Sequence, residues 1–344
     1  MAYLRNVQIP HLIRLKPGAL QRLPIYLERE FWGRVLALLS EGLPDEIANR
    51  VLKLQALGRA EIVTEASVEW VESFLQQDLP GFDAVLGLGG GKALDVAKYL
   101  AFRLDLPYLA LPTSLSNDGF CSPQSSLTQA GRKVSLKARL PHGVVVDLEV
   151  VGGAPRSLWL SGVGDLVSKW TAIHDWKLAF HAYATPFDDF AALLSDASVF
   201  QFLGHPGHDL AGIRLLAQAL LLNGVSMEIA GSSRPASGSE HLISHALDQI
   251  SREPRAHGMQ VGLATYWMAH VQGQEVTRLD ELFQVTGFWD AWRQQPMPRV
   301  EWLEALHMAP TIKENFYTVL QQPSSIERAE RLLTSDRYLR ACLV

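Results

Sequence analysis

Residues 83–95 constrain the fold most. A short apolar segment, Asp83-Ala84-Val85-Leu86-Gly87-Leu88, runs straight into Gly89-Gly90-Gly91-Lys92-Ala93-Leu94-Asp95. An apolar run of that length suits a buried strand, and glycines that open a helix leave backbone N–H groups and the helix dipole facing an anion. Adjacent glycines let the chain touch a pyrophosphate. The spacing is neither a Walker A sequence nor a full dinucleotide fingerprint, and a plain tight turn would use the same residues. Asp95 has an equally simple alternative as a first-turn acid complementing the helix dipole.

The surrounding chain repeats the strand-then-helix pattern. Strands are expected at 34–39, 60–63, 83–88, 108–111 and 144–147, with helices at 44–57, 68–77 and 93–104 between them. That alternation is the signature of a parallel sheet with crossover helices, whose ligands bind beyond the carboxyl ends of the strands. Beyond Pro155 long apolar or amphipathic segments take over, such as 210–222, 240–250 and 259–271, with no convincing strand. The expected division is an α/β, Rossmann-like unit over 1–154 and an all-helical unit over 155–344.

A net charge of −5 without a basic run argues against nucleic acid as a partner. Two cysteines, Cys121 and Cys342, are too few for a disulfide framework and fit a reducing cytoplasm. Met1 to Pro17 lacks a signal-peptide core, and no apolar run reaches the roughly 18 residues of a membrane span.

Three loops carry candidate chemistry. Glu41, after the first strand, can accept hydrogen bonds from an adenosine ribose and repel a 2′-phosphate, or it can be a solvated loop acid. The stretch Thr113-Ser114-Leu115-Ser116-Asn117-Asp118 with Ser122 places hydroxyls and a carboxylate at the ligand end of the sheet, although such residues also make ordinary turns. Gly162-Val163-Gly164-Asp165 reads as a flexible entry with an acid at a helix start, where an N-cap is the common role. His241, His245 and His257 fall within 17 residues, beside a Ser/Gly-rich segment. Two of these imidazoles are four apart and so share a helix face, and Asp165 can complete the three-ligand set of a catalytic metal with two of the three histidines. His205 and His208 read as a surface loop.

In order and spacing, Gly89 to Lys92 with Asp95, Pro112-Thr113-Ser114 with Asp118, Ser122-Pro123, Gly164-Asp165 with Asp175-Trp176, Arg234 to His241 with His245, and His257-Gly258 resemble sn-glycerol-1-phosphate dehydrogenases. That family sits within the superfamily of iron-containing alcohol dehydrogenase, glycerol dehydrogenase and dehydroquinate synthase. The resemblance implies the dehydroquinate synthase-like fold, with Asp165, His241 and His257 binding a divalent metal and Asp118 and His245 meeting substrate. It further implies that Gly89, Gly90, Gly91, Lys92, Asp95, Thr113, Ser114, Ser116 and Ser122 hold NAD or NADP. The implied reaction is the reversible reduction of dihydroxyacetone phosphate to sn-glycerol 1-phosphate. Zinc is the first expectation for the metal; the same donors accept nickel or iron.

Another polyol dehydrogenase is the alternative, and Arg234 and Lys137 are candidate cations for a substrate phosphate. A dehydroquinate synthase-like cyclase fits less well, because such enzymes resemble one another in carrying a glutamate where Asp165 stands. A non-catalytic NAD- or metal-binding protein is the third reading. A homo-oligomer is expected from nine tryptophans in a largely helical chain. The Trp-rich stretch 288–302 has no counterpart in the resemblance.

Overall fold

The computed structural model describes residues 7–344; residues 1–6, part of the Met1 to Pro17 stretch read for a signal peptide, lie outside the described residues. The chain forms two compact units, one running up to Ala154 with Asp209–Glu228, the other Pro155–His208 with Ile229–Val344. This differs from the sequence division over 209–228. The helix Leu210–Ala230 packs on the first unit, where the bare backbone of Gly224 lies against the Cys121 carbonyl, a position a Cβ would overlap. By length and composition this helix could cross a membrane, which corrects the expectation that no apolar run is long enough. However, 67% of its most apolar window is buried within the protein, so packing already uses that surface.

The first unit contains strands β1 (Leu12–Lys16), β2 (Val35–Ser40), β3 (Leu57–Val63), β4 (Ala84–Gly89), β5 (Tyr108–Pro112), β6 (Gln124–Gln129), β7 (Arg132–Lys137) and β8 (Gly143–Asp147). Its helices are α1 (Leu23–Arg29), α2 (Asp45–Leu52), α3 (Val68–Leu75), α4 (Gly91–Leu104) and α5 (Leu148–Gly152). Six strands make one parallel sheet in the order β1-β8-β5-β4-β2-β3. The central strands β4, β5 and β8 are buried along their whole length, which is why they read as unbroken apolar runs. Ser67 caps α3 by accepting from the Trp70 N–H at 3.1 Å.

Two features were not expected from sequence. β1 is a polar edge strand beside β8, with Arg14 and Lys16 in its five residues. β6 and β7 form a separate antiparallel hairpin whose turn, Ala130-Gly131, has φ of 48° and 77°. Two successive positive φ values define the turn that suits hairpin twist, but alanine is not a residue that announces it.

The second unit holds α6 (Arg156–Val167), α7 (Lys169–Tyr183) and α8 (Asp189–Leu203), then, after α9 (Leu210–Ala230), α10 (Ser239–Ile250), α11 (His257–Val271) and α12 (Thr277–Thr286). It ends with α13 (Phe288–Gln294), α14 (Arg299–Met308), α15 (Pro323–Ser335) and α16 (Arg337–Cys342). Among the described residues it has no strand beyond an isolated bridge between Met297 and Leu343. The Trp-rich stretch is core: Trp289, Trp292 and Trp302 are buried, with Trp289 stacked on Tyr338 at 4.4 Å. Seven of the nine tryptophans are buried, so they offer no surface for an oligomer.

Candidate active site

In the second unit, α6, α10 and α11 bring three donors together. Asp165 is near the end of α6, His241 is in the first turn of α10, and His257 opens α11. The two imidazole Nε2 atoms each lie 3.7 Å from Asp165 Oδ1. Metal–donor bonds of about 2.0–2.2 Å in a tetrahedral arrangement place donors about 3.3–3.6 Å apart, so the three residues fit one divalent ion.

Asp165 therefore corrects the sequence reading, since it neither starts nor caps a helix. The glycines before it serve close packing. A Cβ on Gly164 would overlap the Gly258 carbonyl, and a Cβ on Gly258 would overlap the Ser161 carbonyl. Without those side chains α6 and α11 approach backbone to backbone, and Asp165 meets His257.

Hydrogen bonds from the protein interior orient both imidazoles. His241 Nδ1 is 2.9 Å from Glu240 Oε1, while Glu240 also accepts from the Gly238 N–H at 2.6 Å and the Thr171 hydroxyl at 2.7 Å. The tautomer of His257 follows from a longer chain. Gln260 Nε2 faces two acceptors, Arg255 O at 3.0 Å and Asp248 Oδ1 at 3.5 Å, which turns its Oε1 toward Ser244. Ser244 Oγ donates its single proton to that Oε1 at 2.9 Å, so toward His257 Nδ1, 3.1 Å away, it can only accept. The Nδ1 then carries the proton, and Nε2 presents a lone pair toward Asp165.

Neither Ser244 nor Gln260 was singled out from sequence. Gln260→Leu is expected to weaken metal affinity about 10- to 100-fold. Chelator competition measures this, and an affinity within threefold of wild type would show that the chain does not govern the ring.

The electrostatics favour positive charge between the donors. Burial alone would raise the Asp165 pKa, but the Lys169 ammonium and the two imidazoles hold it well below the usual carboxylate range. Burial would likewise lower that of His241, yet Asp165 and Glu240 push it up to about 9. A dication satisfies the same carboxylates with neutral rings.

His245, one turn along α10, lies 5.6 Å from the His257 ring and 6.2 Å from that of His241, centroid to centroid. With Asp248 it forms an overlapping donor group that shares His257. The Asp165 group is the more buried, and His257 Nε2 points into it. A third group, His11, Glu30 and His142, is a hydrogen-bonded cluster. Its Glu30–His142 contact of 2.7 Å is a hydrogen bond, shorter than donors on one metal tolerate. His208 packs edge-on against Trp159 at 5.0 Å, as a structural histidine.

In the first unit, parallel pairing sets the other expected residues along one carboxyl edge. Leu39 pairs with Leu88, and Gly89 with Pro112, so Glu41, the glycine loop and the stretch from Thr113 follow adjacent strand ends. Gly89 has φ of 143°, and a Cβ there would overlap the Ser40 side chain, whose hydroxyl accepts from the Gly90 N–H at 3.1 Å. The space that a Cβ would occupy on Gly90 and Gly91 is open, at the N-terminus of a 14-residue helix.

Glu41 is exposed, and Thr113, Ser114, Ser116 and Asp118 are half-buried. Lys92 donates to Thr64 O at 3.2 Å, at the end of β3. Asp95 is not the exposed first-turn acid of the simpler reading; it pairs with buried Lys98 at 3.0 Å, and Lys98 also donates to Gly119 O at 2.7 Å. Ser122 Oγ accepts from the Gln124 N–H at 3.1 Å.

The profile of a family described as iron-containing alcohol dehydrogenase matches residues 14–155. A glycerol-1-phosphate dehydrogenase [NAD(P)+] of Pyrococcus furiosus is 38% identical over 296 residues, covering 82% of this chain and 83% of that one. One from Metallosphaera sedula is 34% identical over 325 residues, covering 91% and 92%. Among solved structures, glycerol dehydrogenase from Schizosaccharomyces pombe superposes with a TM-score of 0.75 at 18% identity, covering 97% of this chain and 91% of that one, which shows the shared fold. The sustained identity to these dehydrogenases, over a chain whose helical unit assembles an Asp/His/His group, places this protein in the glycerol-1-phosphate dehydrogenase family.

Proposed function

We propose that the protein is a metal-dependent, NAD(P)-linked oxidoreductase that reversibly reduces dihydroxyacetone phosphate to sn-glycerol 1-phosphate. The Asp165–His241–His257 group carries this reading, in a chain whose relatives bear that activity in their names. A metal held there would act as a Lewis acid at the carbonyl oxygen, and the nicotinamide would supply hydride. Asp165 supplies the negative charge of the group, while Glu240 and Ser244 fix both imidazoles. His245 is half-buried beside His257 and is suited to pass a proton to or from the substrate oxygen. Asp118 is the second substrate contact of this reading.

The open N-terminus of α4 suits the cofactor pyrophosphate, with Lys92, Asp95, Thr113, Ser114, Ser116 and Ser122 as the further cofactor contacts of this reading. Exposed Glu41 suits a ribose hydroxyl and favours NAD over NADP. Zinc fits the mixed carboxylate and imidazole donors, as do nickel and iron. Cys121 and Cys342 are buried free thiols, in keeping with a cytoplasmic protein. A homo-oligomer is supported by exposed Phe180, Tyr183, Phe190, Leu193 and Phe200 on α7 and α8.

The test is NADH and NADPH oxidation with dihydroxyacetone phosphate, dihydroxyacetone and other ketones after loading with zinc, nickel or iron, with the stereochemistry of the product determined. Preferred turnover of an unphosphorylated ketone would replace this reading with that of a polyol dehydrogenase.

A further inference from the structure

The loop leading into α10 carries a cation that the metal group does not use. Arg234 is 4% exposed, and its guanidinium carbon lies 3.6 Å from the centroid of the Phe316 ring. Lys313 Nζ lies 4.2 Å from the centroid of the same ring and donates to Ser233 Oγ at 3.1 Å. The guanidinium also donates to Tyr317 O at 2.6 Å. Among the described residues no carboxylate lies within ion-pair distance of either cation. The acid whose charge Arg234 feels, Asp175, already accepts from the Ser239 and Val319 N–H groups at 2.7 and 2.8 Å.

Two cations gathered on one ring repel each other, and that repulsion strengthens as water is removed. Burial pulls the Arg234 pKa down to about 10; desolvation of the ammonium, with the Arg234 charge second, pulls Lys313 to about 8. Lys313 as a residue is exposed while Arg234 is buried, so the pair meets solvent from the Lys313 side. The loop is also fastened to the metal group. The Ala236 N–H closes a turn on Ser233 O at 3.0 Å, and Ser168 Oγ bridges Ala236 O at 2.9 Å and Asp165 O at 2.8 Å.

We propose that Arg234 and Lys313, with the Ser233 hydroxyl, form the subsite for a dianionic phosphomonoester, the phosphate end of the substrate. This rests on the reading of the chain as a reductase of a phosphorylated ketone. Two positive charges and a hydroxyl match the charge and acceptor oxygens of a phosphate, and a guanidinium adds a planar fork. Lys137, the other cation considered from sequence, stands on the exposed hairpin strand β7, where the charge it meets is Glu228.

The experiment compares kcat/KM for dihydroxyacetone phosphate with that for dihydroxyacetone in wild type, Lys313→Met, Lys313→Arg and Arg234→Gln, alongside binding of inorganic phosphate by thermal shift at constant ionic strength. Loss of one charged hydrogen-bonding partner predicts that Lys313→Met lowers the ratio about 30-fold, through KM, and weakens phosphate binding by a similar factor. Lys313→Arg should restore most of both. Arg234→Gln should act in the same direction, with far-UV circular dichroism reporting whether it folds. A ratio within threefold of wild type in Lys313→Met, with undiminished phosphate binding, overturns the subsite. If wild type reduces neither ketone, the reductase reading fails, and phosphate binding still decides the subsite: loss in Lys313→Met supports it, retention overturns it.

Discussion

Replacing His257 or His241 by alanine, or Asp165 by asparagine, is expected to remove the metal and most of the activity together. Each imidazole meets Asp165 Oδ1 at 3.7 Å, so removing either leaves two donors where three are needed to hold a catalytic ion with an open position. The aspartate change keeps the shape and removes the charge that buried Lys169 and the two imidazoles stabilise. Lewis-acid stabilisation is worth several kcal/mol, so kcat/KM should fall by about 10³- to 10⁵-fold. Metal content by mass spectrometry and steady-state turnover check this, and full occupancy with normal turnover in any of the three would dismantle the assignment. His245→Ala separates the two overlapping donor groups. It should keep its metal and lose about 10²- to 10⁴-fold in kcat. Loss of metal in that variant would instead assign His245 and Asp248 as ligands with His257.

What could be read from the sequence depended on whether local pattern or tertiary contact decided the outcome. The parallel sheet was legible because β4, β5 and β8 are buried on both faces and therefore apolar throughout. β1 was not, because an edge strand tolerates Arg14 and Lys16. The β6–β7 hairpin was hidden by its Gln-Ser-Ser strand and an Ala-Gly turn. At the site, the histidines stood out by spacing, and Asp165 as an acid after a glycine pair that could complete their set. The chain from Arg255 through Gln260 and Ser244 to His257 did not, since it joins α10 to α11 across the tertiary structure. The pairing of Arg234 with Lys313 has the same character, at a separation of 79 residues between their positions. The glycines near Asp165 misled, because Gly-x-Gly suggests flexibility while here it lies inside a helix.

Gly164→Ala tests that last point with an effect of unexpected sign. On an exposed helix the change would stabilise by roughly 1 kcal/mol, since alanine is the better helix former. Here the new methyl would overlap the Gly258 carbonyl and press on Phe288. Backbone cannot swing aside as a side chain does, so α6 and α11 must separate, and overpacking of this kind costs about 1–3 kcal/mol or more. The net expectation is a destabilisation of about 2 kcal/mol and a fall of roughly 4–8 °C in the thermal midpoint of this helical unit. Asp165 is the next residue in α6 and His257 precedes Gly258 in α11, so the separation also pulls these two candidate donors apart. Metal affinity should therefore fall further than stability alone requires, and excess metal should recover part of the lost midpoint. Gly258→Ala, which would press on the Ser161 carbonyl, should behave alike. Wild-type affinity and midpoint in both variants would mean that the helices part without moving the donors, and that the glycine contact is not what holds Asp165 against His257.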